Sequence, residues 1–233
     1  MLRCECAVTH ERRRIVLTGG PGAGKTAVLE LIRQSFCEHV HVLQEAASLV
    51  FGGGFPRDGH DLCRRAAQRA IFHVQRELEN AADAHLPAIV LCDRGTLDGL
   101  AYWPGTAKDF WSSLGSTQEK QLEHYDAVIH LRTPALELGY NRQNPLRTES
   151  ATTAAEIDAR ILQAWQGHPR RFVVESSAHF LDKAAQALRI LRDEMPECCR
   201  RHVIPALQDH LHRASSKRGT SADPSDLAER MPT

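Results

Sequence analysis

Short apolar runs alternate with longer amphipathic stretches along this chain, the pattern of a parallel sheet covered by helices on both faces. Arg14 to Thr18 reads as the first strand and His41 to Gln44 as a short second one. Ala88 to Cys92 and Ala127 to Leu131 are continuous apolar strands, expected to be buried on both faces. Phe172 to Val174 supplies a fifth. Between strands the period changes from 2 to 3.6. Val28, Leu31, Ile32, Ser35 and Phe36 give the first helix one buried face. A Gly-rich break, Gly52-Gly53-Gly54-Phe55-Pro56, precedes a long helix predicted from about Asp61 to His85. Its expected inward stripe is Leu62, Ala66, Ala70, Val74 and Leu78, widened by Ile71, and Pro87 stops it. Gly95 to Gly115 reads as short helices and loops, and Thr117 to Tyr125 as a helix. A helix from Thr153 to Gln166 should bury Ile157, Ile161, Leu162 and Trp165. The next, Phe180 to Glu194, should bury Phe180, Ala184, Ala187, Leu188 and Leu191, and Pro196 ends it. His202 to His212 is a candidate for one more. From Ala214 onward Ser, Lys, Asp and Pro dominate, and disorder is the expectation.

The first strand runs into Gly19-Gly20-Pro21-Gly22-Ala23-Gly24-Lys25-Thr26, which has the spacing of a phosphate-binding loop followed by a helix. Backbone N–H groups that all face a polyphosphate require glycines, because only they let the chain wrap so closely. Gly20, Pro21, Gly22, Ala23, Gly24, Lys25, Thr26 and Ala27 are therefore the expected nucleotide cradle. Lys25 places a point charge near the terminal phosphates, and Thr26 offers a hydroxyl to Mg²⁺. The helix start adds its positive dipole end.

Other candidates follow from their place at strand ends, because ligands gather at the carboxyl edge of an open parallel sheet. Asp93 ends the third strand; it holds Mg²⁺ there, or caps the next helix, and the metal role is the expectation beside a phosphate loop. Arg94 offers a planar fork to a phosphate or acceptor, or forms a structural ion pair with its neighbour. Glu45 ends the second strand; it orients or deprotonates an attacking hydroxyl, or sits on a helix dipole. Arg142 and Arg147 lie in the polar, aperiodic stretch from Gly139 to Ser150, read as a lid at about 139–152 that brings positive charge to the transferring group. Solvated loop arginines are the plainer alternative. Arg170 and Arg171 are weaker candidates. Tyr102, Trp103, Phe110 and Trp111 wall an acceptor pocket or, as is commoner at such spacings, join the core. Asp98 is a further candidate for an acceptor hydroxyl.

Composition narrows the partners. Basic and acidic residues number 29 each among 233, so no global field draws the chain to nucleic acid or to an anionic bilayer. No apolar run is long enough to span a membrane, and Met1 to Arg14 lacks the apolar core of a secretory signal. A cytoplasmic location is the expectation. The length suits one core, with residues 1–13 as an N-terminal extension, 14–195 as the nucleotide-binding domain and 196–233 as a tail. Of seven cysteines, Cys37, Cys63 and Cys92 fall in elements that read as buried or half-buried, as reduced thiols do. Cys4 and Cys6 with His10, and Cys198 and Cys199 with His202, flank the two ends. Their spacings match no common zinc module and the termini need not meet, so ordinary surface and tail residues are expected.

Taken together, the loop GGPGAGKT, Glu45, the Asp93-Arg94-Gly95 strand end, the Asn144-Pro145-Leu146-Arg147 segment and the Trp165 to Arg171 stretch resemble the AAA-type P-loop domain shared by NadR and TRPL translocation defect proteins. The likeness runs from about Arg14 to Glu194 and extends distantly to nucleoside and nucleoside-monophosphate kinases. It implies an α/β three-layer sandwich with a five-stranded parallel sheet in the order 2-3-1-4-5. It also implies ATP or GTP with Mg²⁺. In kinase members the aspartate-arginine pair serves metal and acceptor, which would fall on Asp93 and Arg94, with the lid arginine on Arg147 or Arg142. Glu45 would match the strand-two carboxylate that handles the acceptor hydroxyl. The nucleotidyl domain of NadR has no counterpart here, and no arginine finger in trans can be assigned.

Two functions are compatible with these residues. One is a kinase that phosphorylates a small, nucleoside-like acceptor by positioning and charge neutralisation. The other is a nucleotide switch or slow NTPase that recruits a protein or lipid partner. A closed pocket on which Glu45, Arg94 and Asp93 converge favours the first; a shallow groove with nucleotide contacts alone favours the second. A nucleic-acid motor is disfavoured by the neutral charge and the single core.

Overall fold

The computed structural model describes residues 6, 8–85, 87–134, 151–177 and 179–200. Five strands form one parallel sheet: β1 (Arg13–Thr18), β2 (Val40–Val42), β3 (Ile89–Asp93), β4 (Ala127–Leu131) and β5 (Arg171–Val174). Their order is β2-β3-β1-β4-β5, as expected. Val16 pairs with Cys92 on one side and Val128 on the other, which places β1 at the centre. The carboxyl ends of β1, β2 and β3 therefore open on one edge of the sheet.

The strand residues alternate between two cores, as a pleated strand buried on both faces must. Ile15, Leu17, Ile89, Leu91, Ile129 and Leu131 pack under α1 (Lys25–Ser35) and α7 (Phe180–Glu194). Val16, Val90, Cys92 and Val128 face the opposite side, with residues of α3 (Asp61–Ala82), α4 (Ala107–Leu114) and α6 (Ala151–Ala164). A short helix α2 (Ala46–Gly52) follows β2, α5 (Gln118–Glu123) precedes β4, and α8 (Glu197–Arg200) follows α7. Three-layer packing thus comes directly from the period of 2 in the strands.

Two helix faces differ from the apolar reading. On α3 the buried positions are Ala67, Gln68, Phe72, Gln75, Glu79 and Ala82, while Leu62 is 81% exposed. The stripe is rotated because a satisfied polar network holds it. Glu79 receives the Tyr125 hydroxyl and the Gln75 amide at 2.8 Å each and faces His124 Nε2 at 2.8 Å. Burial opposes the charge of Glu79, but His124 and these donors hold its carboxyl below the usual value. On α7, Phe180 is 40% exposed and lies against the phosphate loop rather than in the core. The region after β3 resolves into a 3-10 turn (Thr96–Ala101) and α4, capped by a reciprocal Thr106–Asp109 box. The predicted lid, with Arg142 and Arg147, and the His202 to His212 helix lie outside the described residues, as do Cys4 and His202.

Candidate functional site

The loop between β1 and α1 is built as a phosphate cradle. Gly19 has φ 141°, and a Cβ there would lie 2.1 Å from the Leu131 carbonyl oxygen. Gly22 adopts φ 79°, a left-handed conformation that other residues enter only with strain. The loop turns tightly enough for Lys25 Nζ to donate to the carbonyls of Gly19 at 2.8 Å and Gly20 at 3.1 Å. Lys25 is buried. That burial, with the Arg94 charge nearby, pushes its pKa down to about 7 against the pull of Asp93, Glu45 and Asp98. An ammonium so placed would recover its charge beside anionic phosphate oxygens. Thr26 lies exposed at the first turn of α1.

Two side chains from distant helices hold the loop. Asp158 on α6, almost wholly buried, accepts the Gly20 N–H at 3.0 Å and pairs with Arg132 at 2.9 Å and His130 at 2.9 Å. Lys183 on α7 donates to the carbonyls of Ala23 and Arg132, and burial pushes its pKa down to about 8. Neither residue is suggested by any motif. Each is a polar residue on the apolar stripe of its helix, and that is the sequence signal that marks them.

Around the loop the carboxyl edge gathers charge. Arg94 Nε lies 2.6 Å from Glu45 Oε1, and the same guanidinium donates to the Gly19 carbonyl at 3.3 Å and to Asp98 at 3.4 Å. Its backbone has φ 69°, which costs about 1–2 kcal/mol for a residue with a side chain. Arg94 stays charged: burial works against it, but Tyr102, Glu45 and Asp98 hold the proton. Glu45 is half-buried at the start of α2. Burial opposes its ionisation, yet Arg94 and the Ser48 hydroxyl keep its carboxyl below the usual range. Asp98 is fully engaged as a positioning group, accepting Thr18 Oγ1 and Trp165 Nε1 at 2.6 Å each.

Asp93 behaves differently. Its carboxyl is pushed up to about 6 by burial and by Glu45, against Lys25 and Arg94. Its Oδ1 is buried with no hydrogen-bond partner. A carboxylate oxygen in that condition is suited to a hard cation, which would satisfy it and favour its ionised form.

Beside Glu45 and Arg94 a cavity of about 700 Å³ opens between α2, α3 and the 3-10 turn. Phe51, Ile71, Phe72 and Tyr102 supply its apolar walls, and Gln68 and Arg64 its polar ones. Of the four aromatics considered for this role only Tyr102 lines it. Trp103, Phe110 and Trp111 are buried in the core, where their rings stack edge to face. The cavity takes Phe51 and Phe72 from helices that the apolar pattern did not assign to it.

Among the described residues no helix is long and apolar enough to cross a membrane. Among curated proteins none matches the chain. The fold is similar to that of thymidylate kinase from Candida albicans, with a TM-score of 0.50 and 15% sequence identity over 78% of this chain and 92% of that one. A family model described as an AAA domain matches residues 14–183. That span holds the phosphate loop, Glu45, Asp93 and all five strands but for Arg13 at the start of β1, and the chain belongs to this AAA domain family of P-loop nucleotide-binding proteins.

Proposed function

We propose that the protein is a Mg²⁺-dependent kinase that moves the γ-phosphoryl group of ATP or GTP to a hydroxyl of a small, nucleoside-like molecule. The observation that carries this reading is the cavity beside the phosphate loop with Glu45 and Arg94 on its wall. A site that held only the phosphates of a nucleotide would have no use for a cavity of that size against Glu45 and Arg94.

Residues Gly20 to Ala27 cradle the polyphosphate and Lys25 balances its charge. Thr26 and Asp93 hold Mg²⁺, and the unpartnered Asp93 oxygen supports that role. Bound there, the ion neutralises charge on the phosphates. Glu45 accepts a hydrogen bond from the acceptor hydroxyl and fixes its direction. A carboxylate held ionised by Arg94 is a weak base, which suits a transfer whose transition state demands little proton removal in advance. Arg94 spans the gap between Glu45 and the loop, so it tracks charge moving between acceptor and donor. Arg142 and Arg147, which lie outside the described residues, are the candidates to bring positive charge to the transferring group, within one nucleotide-binding domain over 14–195. The aromatic walls with Gln68 and Arg64 suit a flat, hydrogen-bonding base. The resemblance to the NadR and TRPL translocation defect domain supports the same reading, and a cytoplasmic setting is proposed with it.

The test is a panel of nucleosides, nicotinamide riboside and phosphorylated metabolites incubated with ATP or GTP and Mg²⁺. Mass spectrometry reads a gain of one phosphate. A phosphorylated acceptor supports the kinase. Tight nucleotide binding with only slow hydrolysis across the whole panel overturns it in favour of a switch that recruits a protein or lipid partner.

A further inference from the structure

The opposite edge of the sheet carries a second cluster of chemistry. His10 precedes β1, His39 precedes β2, and Cys198 and Cys199 lie on α8 after the last long helix. The fold brings all of them to the amino ends of the strands together with Cys6. Cys6 Sγ lies 3.4 Å from Cys198 Sγ, and His10 Nε2 lies 3.3 Å from each sulfur. Cys199 Sγ is 3.7 Å from Cys198 Sγ and 3.3 Å from His39 Nδ1. His10, His39 and Cys199 offer donor atoms within 4.8 Å of one another.

We propose that Cys6, His10 and Cys198, whose donor atoms all lie within 4.8 Å of one another, bind one zinc ion that ties the chain before β1 to the helix after α7, with Cys199 turning in to close the fourth position. Zinc bonds of about 2.3 Å to sulfur and about 2.0 Å to nitrogen, arranged as a tetrahedron, separate the donor atoms by roughly 3.3–3.8 Å. The separations among Cys6, His10 and Cys198 fall in that range, as does that between Cys198 and Cys199, but the four donors do not all lie within 4.8 Å of one another, so the Cys199 side chain must turn toward the ion. Three thiolates and one imidazole form a closed, soft donor set that selects zinc over Mg²⁺ or Ca²⁺. Four protein ligands leave no open position, so the ion is structural. His39 Nδ1–H donates to the Cys199 thiolate and orients it. β1 is six residues long, so the ion sits about 20 Å from the phosphate loop, at the far end of the strand. Its role is to fasten the segment before β1 to the helix after α7 at the amino ends of the strands. The spacing along the sequence, 192 residues between Cys6 and Cys198, hid the site.

The full chain, purified under reducing conditions without chelator, should carry about one zinc per molecule by elemental analysis. Cobalt exchanged into it should give the thiolate charge-transfer band and the visible absorption of a tetrahedral site. Cys6→Ser and Cys198→Ser should each weaken zinc binding by about 100-fold or more and abolish that spectrum, whereas Cys63→Ser should leave both unchanged. Should the serine variants unfold, the wild-type protein still decides the matter: chelation should lower its melting temperature and added zinc restore it. Wild-type protein with well under one zinc, or with a melting temperature indifferent to chelation, overturns the proposal. So does a stable Cys6–Cys198 disulfide in the reduced-buffer preparation.

Discussion

Asp158 Oδ1 accepts the backbone N–H of Gly20 at 3.0 Å, across 138 residues of sequence. A carboxylate on α6 thus sets the first turn of the phosphate loop. The same group answers His130 and Arg132. Asp158→Ala leaves a buried N–H, an imidazole and a guanidinium without their acceptor. The expected loss is about 3–5 kcal/mol of stability by urea unfolding, because breaking a buried pair strands the remaining charge. Nucleotide affinity should fall as well. Asp158→Ala with an unchanged urea midpoint removes the anchoring role.

Among the described residues the hydrogen bonds of Lys25 go to loop carbonyls, so Lys25→Ala should fold normally. It should also lose measurable binding of ATP and GTP in calorimetry. Near-native affinity would refute the cradle as the nucleotide site.

For Asp93 the pH dependence has a definite sign. Its folded carboxyl titrates at about 6, against an ordinary 3.8, so the folded state holds the proton more tightly. The group therefore subtracts stability as pH rises from about 4 to 6, and the loss is complete above that window. Asp93→Asn removes the loss and should stabilise the ligand-free protein near neutrality by about 1–2 kcal/mol. The same substitution should abolish the Mg²⁺-dependent part of nucleotide affinity. In the unaltered protein, Mg²⁺ binding should strengthen over that pH range as the carboxylate forms. A variant that is no more stable and still responds to Mg²⁺ contradicts both halves.

Glu45→Gln keeps the shape of the Arg94 contact and discards the charge. Phosphoryl transfer to an identified acceptor should drop about 10²–10⁴-fold, with nucleotide affinity unchanged. Undiminished turnover removes Glu45 from the mechanism.

Much of this architecture is legible in the sequence because strands and the phosphate loop are local. Ile15-Val16-Leu17 followed by a Gly-rich loop needs no distant partner to be recognised. The face of α3 is not legible in that way. Counting apolar residues selects Leu62 and Ala66, but burial follows Gln68, Gln75 and Glu79; Gln75 donates to Glu79, and Glu79 finds His124 and Tyr125 in the turn between α5 and β4. The strand-end residues Glu45, Asp93 and Arg94 could be placed at one edge from topology alone. That Arg94 joins Glu45 to the Gly19 carbonyl depends on its left-handed backbone, which no residue pattern announces. Asp158 and Lys183 act on backbone groups, and a carbonyl or N–H leaves no mark in the sequence of its partner.

The Glu45–Arg94 contact has a consequence for economy of ATP or GTP. While the guanidinium and Ser48 occupy it, the carboxylate has little appetite for the proton of a stray water molecule. In the proposed kinase this would keep idle turnover slow until a fitting guest fills the chamber, so that triphosphate is not squandered on solvent.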